Sequence, residues 1–231
     1  MKRFYRQVAT IEAEGGVAVE LDGRPVRTPA RAQLVLPNAA LAEAVAGEWR
    51  AQGEEIVPTT MPFTRLANTA IDRVAPRREA VIDEIAAYGG TDLVCYRAAA
   101  PAELAALQAA AWQPLIDWLA ARHGARLEVV AGVTHRAQPG DAHGALRGTV
   151  AAYADMELAA LHSATTAAGS LVIALALAER HIDAAAALAA ALIDEAFQAE
   201  RWGEDEEAAA RRAELAADLA AAADFMALCG G

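Results

Sequence analysis

The sequence predicts an α+β fold, with a small N-terminal α+β domain over residues 1–70 and a larger, mainly helical domain over residues 71–231. Two observations predict it. The first forty residues alternate short apolar runs with Gly, Asp and Pro turn signals, the pattern of a meander of short strands. Beyond Thr64 the apolar residues recur at helical spacing in Ala-rich segments. The boundary falls between Thr64 and Pro76.

The elements follow in order. Residues 8–11 and 17–21 are short strands separated by Glu14-Gly15-Gly16. Asp22-Gly23 is a hairpin turn, because both central positions of such a turn need a positive φ. Residues 26–28 and 34–36 complete the meander. Asn38 is placed to cap a helix over 39–52, with Leu41, Val45 and Trp49 on one stripe. Pro58 and Pro62 predict an extended segment over 57–64. A short helix over 66–73 follows, then one from Pro76 to about Tyr88, stopped by Gly89-Gly90. Residues 93–96 fit a short strand or a helical turn. Pro101 opens a helix to Trp112, and Pro114 interrupts or restarts it. Residues 127–133 read as one strand and 138–144 as a loop. Three helices are expected over 146–163, 164–180 and 183–200, and a last one over 206–228.

Charge bounds the partners. The net charge is −11. Residues 1–100 hold 12 basic and 13 acidic side chains, and residues 101–231 hold 8 and 18, so the second part carries −10. Such a surface repels phosphate backbones and anionic bilayers, so no nucleic-acid partner and no membrane insertion are expected. The most apolar run, 171–178, is too short to span a bilayer, which takes about 20 residues. The start of the chain has no apolar signal region, so a cytoplasmic protein is expected. Cys95 and Cys229 form no CxxC pair and imply no disulfide framework.

The search for catalytic chemistry returns little. Cys95 sits in an apolar run and reads as a small buried hydrophobe. Ser170 is not in a GxSxG elbow. The five histidines lack metal-ligand spacing, and His135 and His143 only flank a loop around Asp141. No GxGxxG or GxxxxGK[ST] is present. No metal, no cofactor and no catalytic residue are therefore expected.

One stretch stands out: Gln198-Ala199-Glu200-Arg201-Trp202-Gly203-Glu204-Asp205-Glu206-Glu207. With Asp194 and Glu195 it places seven acids within fourteen residues, against Arg201 alone. Adjacent like charges repel, so packing alone does not favour them. Acids in a first helical turn also favour the helix dipole, and two or three of these fit that role. A calcium or magnesium site lacks the glycine-punctuated loop it would need. Trp202 reads first as a core residue closing the corner between two helices, and second as an aromatic anchor of a protein interface. The candidate partner-binding residues are Glu195, Trp202, Glu204, Asp205, Glu206 and Glu207.

An ordered set of motifs runs through the chain. It begins with Lys2-Arg3-Phe4-Tyr5, Leu21-Asp22-Gly23-Arg24-Pro25-Val26-Arg27-Thr28-Pro29 and Glu48-Trp49-Arg50-Ala51-Gln52. Next come Thr60-Met61-Pro62-Phe63-Thr64-Arg65-Leu66-Ala67-Asn68-Thr69-Ala70-Ile71-Asp72 and Tyr88-Gly89-Gly90-Thr91-Asp92-Leu93-Val94-Cys95-Tyr96-Arg97. Gln108, Trp112, Pro114, Trp118, Gly169-Ser170-Leu171 and Trp202-Gly203-Glu204-Asp205-Glu206-Glu207-Ala208 close it. Together these resemble the ATP-twelve family of assembly chaperones. The resemblance implies an N-terminal α+β domain followed by an orthogonal helical bundle. It implies a non-enzymatic chaperone that binds the unassembled alpha subunit of the ATP synthase catalytic sector until the beta subunit replaces it. A monomeric, bacterial, cytoplasmic counterpart of a mitochondrial matrix factor is expected. The resemblance also gives the acids Glu204, Asp205, Glu206 and Glu207 a functional role. The competing reading is an enzyme with a carboxylate site between the domains, drawing on Asp72, Asp92 or Glu195.

Overall fold

A computed structural model of the chain describes residues 1–203 and 205–230. They form an α+β fold that divides into two compact units. The first holds Met1–Arg78, Ala154–Ala160 and the segment from Asp224 on; the second holds Glu79–Tyr153 and Leu161–Ala223. A single cut at residue 70 does not yield these units. The turn after residue 70 is anchored in the first unit, as are the beginning of one later helix and the end of another.

In the first unit, strand β1 (Val8–Ala13) pairs antiparallel with β2 (Gly16–Leu21), from Val8↔Leu21 to Ala13↔Gly16. The short strands β3 (Arg24–Pro25) and β4 (Val35–Leu36) pair with β2 as well. Strand β2 is therefore central, and its Val17, Ala18, Val19 and Leu21 are buried. Asp22 and Gly23 both have positive φ (49° and 75°), as the tight two-residue turn requires. Gly16 permits the approach of β4: a Cβ there would lie 2.1 Å from the Leu36 carbonyl oxygen. The strand expected over 26–28 is reduced to an isolated bridge, Arg27↔Gln33.

Helix α1 (Ala39–Ala51) buries Leu41, Ala42, Val45 and Ala46. Asn38 caps it, its Oδ1 accepting the Leu41 N–H at 2.9 Å. The same side chain donates to the Leu228 carbonyl at 2.8 Å, and Phe225 packs on Phe63 with ring centroids 6.0 Å apart. These contacts are why the C-terminal segment belongs to this unit.

The extended segment expected over 57–64 is instead helical. Pro58 opens a 3₁₀ turn (Pro58–Thr60), and Pro62 opens α2 (Pro62–Thr69). A proline at the first helical position loses no hydrogen bond, since that N–H is unsatisfied anyway. The cap comes from a distance: the Glu48 carboxylate accepts the N–H groups of Phe63 (2.7 Å) and Thr64 (2.8 Å) and the Thr64 hydroxyl (2.7 Å). Burial pushes the Glu48 carboxyl above its usual range, and these hydrogen bonds oppose the shift. A π turn (Ala70–Val74) and a 3₁₀ turn (Ala75–Arg77) follow.

Helix α3 (Arg78–Ala87) leads through two 3₁₀ turns to β5 (Tyr96–Arg97). Strand β6 (Val130–Ala131) pairs parallel with β5 over two residues, so most of the strand expected over 127–133 is absent. Helix α4 (Ala102–His123) runs unbroken through Pro114, contrary to the expected interruption. Its Trp112 is buried and donates to the Ala190 carbonyl at 2.8 Å. Packing of that kind holds a helix together across one missing N–H.

The remaining helices are shorter and offset from expectation. They are α5 (Gly140–Ala151), α6 (Asp155–Ala168), α7 (Leu171–Ala178), α8 (Ala184–Ala191), α9 (Ile193–Trp202) and α10 (Glu206–Cys229). Helix α5 begins inside the expected loop of 138–144, without a side-chain cap to announce it. Helix α7 is the core of the second unit, with Leu171 to Leu177 all buried. Burying one Leu, Ile or Val side chain contributes about 1.5–3 kcal/mol. Its start is set by two buried residues. Ser170 Oγ accepts the Ile173 N–H at 3.1 Å and donates to Asp92 Oδ1. Asp92 also accepts the N–H groups of Val172 (3.1 Å) and Val94 (3.2 Å), and burial raises its carboxyl to about 6.

Candidate functional site

The acidic stretch forms the corner between α9 and α10. Helix α9 has two faces, because residues three, four and seven apart share one side. Ile193, Ala196, Phe197 and Glu200 lie on one. Glu195, Gln198 and Trp202 lie on the other, and all three are exposed. Glu195 stands about 10 Å along the helix from Trp202, at about 1.5 Å per residue. Its neighbour Asp194 is engaged, accepting from Gln108 Nε2 at 2.6 Å.

Helix α9 ends at Gly203, whose φ of 85° and ψ of 163° suit glycine and turn the chain sharply. Trp202 precedes the turn with 77% of its surface exposed. It therefore does not close the corner as a core residue. A large indole held in water beside charge is the kind of group that protein interfaces bury.

The acids after the turn take different roles. Glu204 lies outside the described residues. Asp205 is the N-cap of α10: its Oδ1 accepts the Ala208 N–H at 2.7 Å, and its carbonyl accepts the Ala209 N–H at 3.0 Å. Glu206 and Glu207 occupy the first turn and are exposed. Neither has an ion-pair partner among the described residues. Arg201, the basic residue in the run, is already engaged. It pairs with Glu103 of α4 and lies 4.2 Å from the Phe197 ring centroid. The corner therefore gathers Trp202, Asp205, Glu206 and Glu207, with Glu195 two turns back on the same face as the indole.

Sequence reasoning missed the opposite face of α9, which borders an apolar groove with α4 and α8.

The carboxylates of the competing enzymatic reading are separately occupied. Asp72 accepts from the Thr28 hydroxyl (2.6 Å) and the Ala30 N–H (2.9 Å) within the first unit. Asp92 is the buried anchor of α7, and Glu195 is exposed on α9. Among the described residues no three His, Cys, Asp or Glu side chains converge as metal ligands. No described helix is long and apolar enough to cross a membrane.

Comparison with known proteins agrees with this fold. The family model described as ATP12 chaperone protein matches residues 2–120. The crystal structure of Atp12 from Paracoccus denitrificans superposes with a TM-score of 0.94 at 46% identity, covering 99% of this chain and 98% of that one. A structure of an aspartate-to-lysine mutant of the P. denitrificans protein matches with the same TM-score and identity, covering 99% of this chain and 97% of that one. The mitochondrial protein atp12 of Schizosaccharomyces pombe is 24% identical over 219 residues, which is 90% of this chain and 75% of that protein. With more than half of its length matched by the family model, and with a fold shared along nearly all of it, this chain belongs to the ATP12 chaperone family.

Proposed function

We propose that this chain is a non-enzymatic assembly chaperone that binds the free alpha subunit of ATP synthase. In this reading it shields the apolar surface that an unassembled subunit exposes, and so prevents aggregation. Release follows when the beta subunit competes for that surface. It works as a monomer in the bacterial cytoplasm, without cofactor or nucleotide.

The observation that carries the reading is the exposed Trp202 beside Glu206 and Glu207, whose charges no described basic residue answers. Membership of a chaperone family supports it. The indole supplies anchoring area, and the acids attract a basic surface. Electrostatic attraction of this kind raises the rate of encounter more than the final affinity, and salt screens it. The local use of Asp72 and Asp92 favours binding over acid–base catalysis at those groups.

Co-expression with the cognate alpha and beta subunits, followed by pull-down at low and high salt, tests the proposal. Capture of alpha without beta, weakened by salt, is expected. No capture at either salt would overturn it.

A further inference from the structure

We propose that the free edge of β1 takes up an extended strand carrying a basic residue, which lengthens the sheet by one strand. Resting on the chaperone reading above, we infer that this strand is a segment of the unassembled alpha subunit.

The phase of the hairpin shows which backbone groups are free. The Asp22 N–H donates to the Gln7 carbonyl at 3.0 Å, so Gln7 and Asp22 form a hydrogen-bonded pair in the register that continues through Val8↔Leu21. Hydrogen-bonded and non-hydrogen-bonded pairs alternate along an antiparallel ladder. Ala9, Ile11 and Ala13 therefore turn their backbone groups to β2, and Val8, Thr10 and Glu12 turn theirs outward. Strand β1 pairs with β2 alone, and no described residue bonds to the outward N–H and C=O groups.

This edge lacks the devices that protect most edges, which are shortness, a bulge, Pro or Lys. Strand β1 runs six residues, pairs one-for-one with β2, and contains no Pro, Lys or Arg. On the other side of β2, β3 and β4 have two residues each, and β3 holds Arg24 and Pro25. One sheet thus has a guarded side and an open one. None of the β1 side chains is buried, and Ala9, Ile11 and Glu12 are exposed.

The outward groups select an extended ligand. A helix spends its N–H and C=O groups internally and leaves such an edge unanswered, whereas a strand answers it group for group. Exchanging water for a strand gains little per bond, which suits a client that is later released. Unpaired strand edges are among the surfaces that an incompletely assembled chain exposes.

Charge sets the sequence of that strand. The hairpin, residues 8–21, holds Glu12, Glu14 and Glu20 and no Lys or Arg. Glu12 and Glu14 are exposed and have no ion-pair partner among the described residues. Opposite charges on neighbouring strands attract and like charges repel. A strand with a base beside Glu12 fits this edge, and one with an acid there does not. A second copy of β1 would bring another glutamate and, within its six residues, no base.

Two fluorescent peptides of about ten residues test this, long enough to span β1 at about 3.3 Å per residue. Both alternate Val and Thr; one ends in two arginines and the other in two glutamates. By fluorescence polarisation the basic peptide should bind about ten-fold tighter. A third peptide repeats the basic one with N-methyl groups on four successive central residues, which removes donors from both of its edges. Its binding should fall about ten-fold or more. Thr10→Pro removes an outward N–H that β2 does not use, so it should abolish peptide binding while unfolding stays cooperative. Glu12→Lys with Glu14→Lys should reverse the ranking of the basic and acidic peptides. Undiminished binding of the N-methylated peptide, or full binding by a cooperatively unfolding Thr10→Pro protein, overturns the edge. Should Thr10→Pro fail to fold, the N-methylated peptide and the lysine pair decide, and an unchanged ranking in the latter overturns the basic strand. Alpha-subunit pull-down with Thr10→Pro separates the two claims. Capture undiminished by this variant removes the edge as the client site and leaves the chaperone reading standing. Edge-dependent peptide binding with no capture of alpha by the wild type removes the client and keeps the ligand class. A dimer that Thr10→Pro dissolves on gel filtration would make a second copy the occupant and overturn the proposal.

Discussion

The β-meander unit and the α9–α10 corner use the same side chains in opposite ways. In the first unit Asp22, Glu48 and Asp72 all point their carboxylates at backbone N–H groups: those of Arg6 and Gln7, of Phe63 and Thr64, and of Ala30. Two backbone donors hold the Asp22 carboxyl below its usual range. At the corner only Asp205 does this, while Glu206 and Glu207 face water without a described basic partner. A carboxylate that satisfies backbone donors is part of the fold. One held in repulsion with its neighbours, and bonded to none of them, is available to something outside the chain.

The largest test of that division is Asp92. Asp92→Ala leaves the Ser170 hydroxyl and the Val94 and Val172 N–H groups without their acceptor. Each buried unsatisfied group costs about 1–3 kcal/mol, so a loss of about 3 kcal/mol or more is expected in urea unfolding. Asp92 also gives a pH signature. Its folded value, about 6, lies above the ordinary 3.8. The folded state therefore holds the proton more tightly, and the stabilisation is complete below the ordinary value. It is lost as pH rises to about 6 and stays lost above. A shift of this size corresponds to roughly 3 kcal/mol. Unfolding between pH 4 and 7 should show the decline in the wild type, and Asp92→Asn should flatten it.

Glu48→Ala should cost about 1–2 kcal/mol, because α2 loses the carboxylate that caps its first turn. Chemical unfolding measures it, and an unchanged midpoint would show that water replaces the cap. Asp205→Ala should cost about 1 kcal/mol through loss of the α10 N-cap, with capture of the client largely retained. Glu206→Lys with Glu207→Lys should cost a similar amount, about 1 kcal/mol, because two lysines in the first turn of α10 oppose the helix dipole that the glutamates favour.

The same contrast explains what could be read from the sequence. Asp22-Gly23 and Asn38 carry local signals, and the turn and the cap are where those signals place them. Proline is a local signal with two meanings. Pro62 starts a helix and Pro114 sits inside one, because a remote carboxylate in the first case and the burial of Trp112 in the second decide between them. Helix α5 starts at Gly140 with no capping side chain, so within residues 138–144 only Pro139 before it and Asp141 in its first turn mark the start. The acidic corner was legible as composition. The exposure of Trp202, the capping role of Asp205 and the groove beside α9 depend on how distant helices pack, which no local pattern encodes.

The most direct measurement is alpha-subunit capture by three forms of the protein: wild type, Asp205→Ala and Glu206→Lys/Glu207→Lys, each with its unfolding curve. Capture lost in the double mutant while its unfolding stays cooperative, and kept in Asp205→Ala at a comparable loss of stability, is the predicted result. Normal capture by the double mutant would contradict it and leave the acidic run as no more than the start of α10.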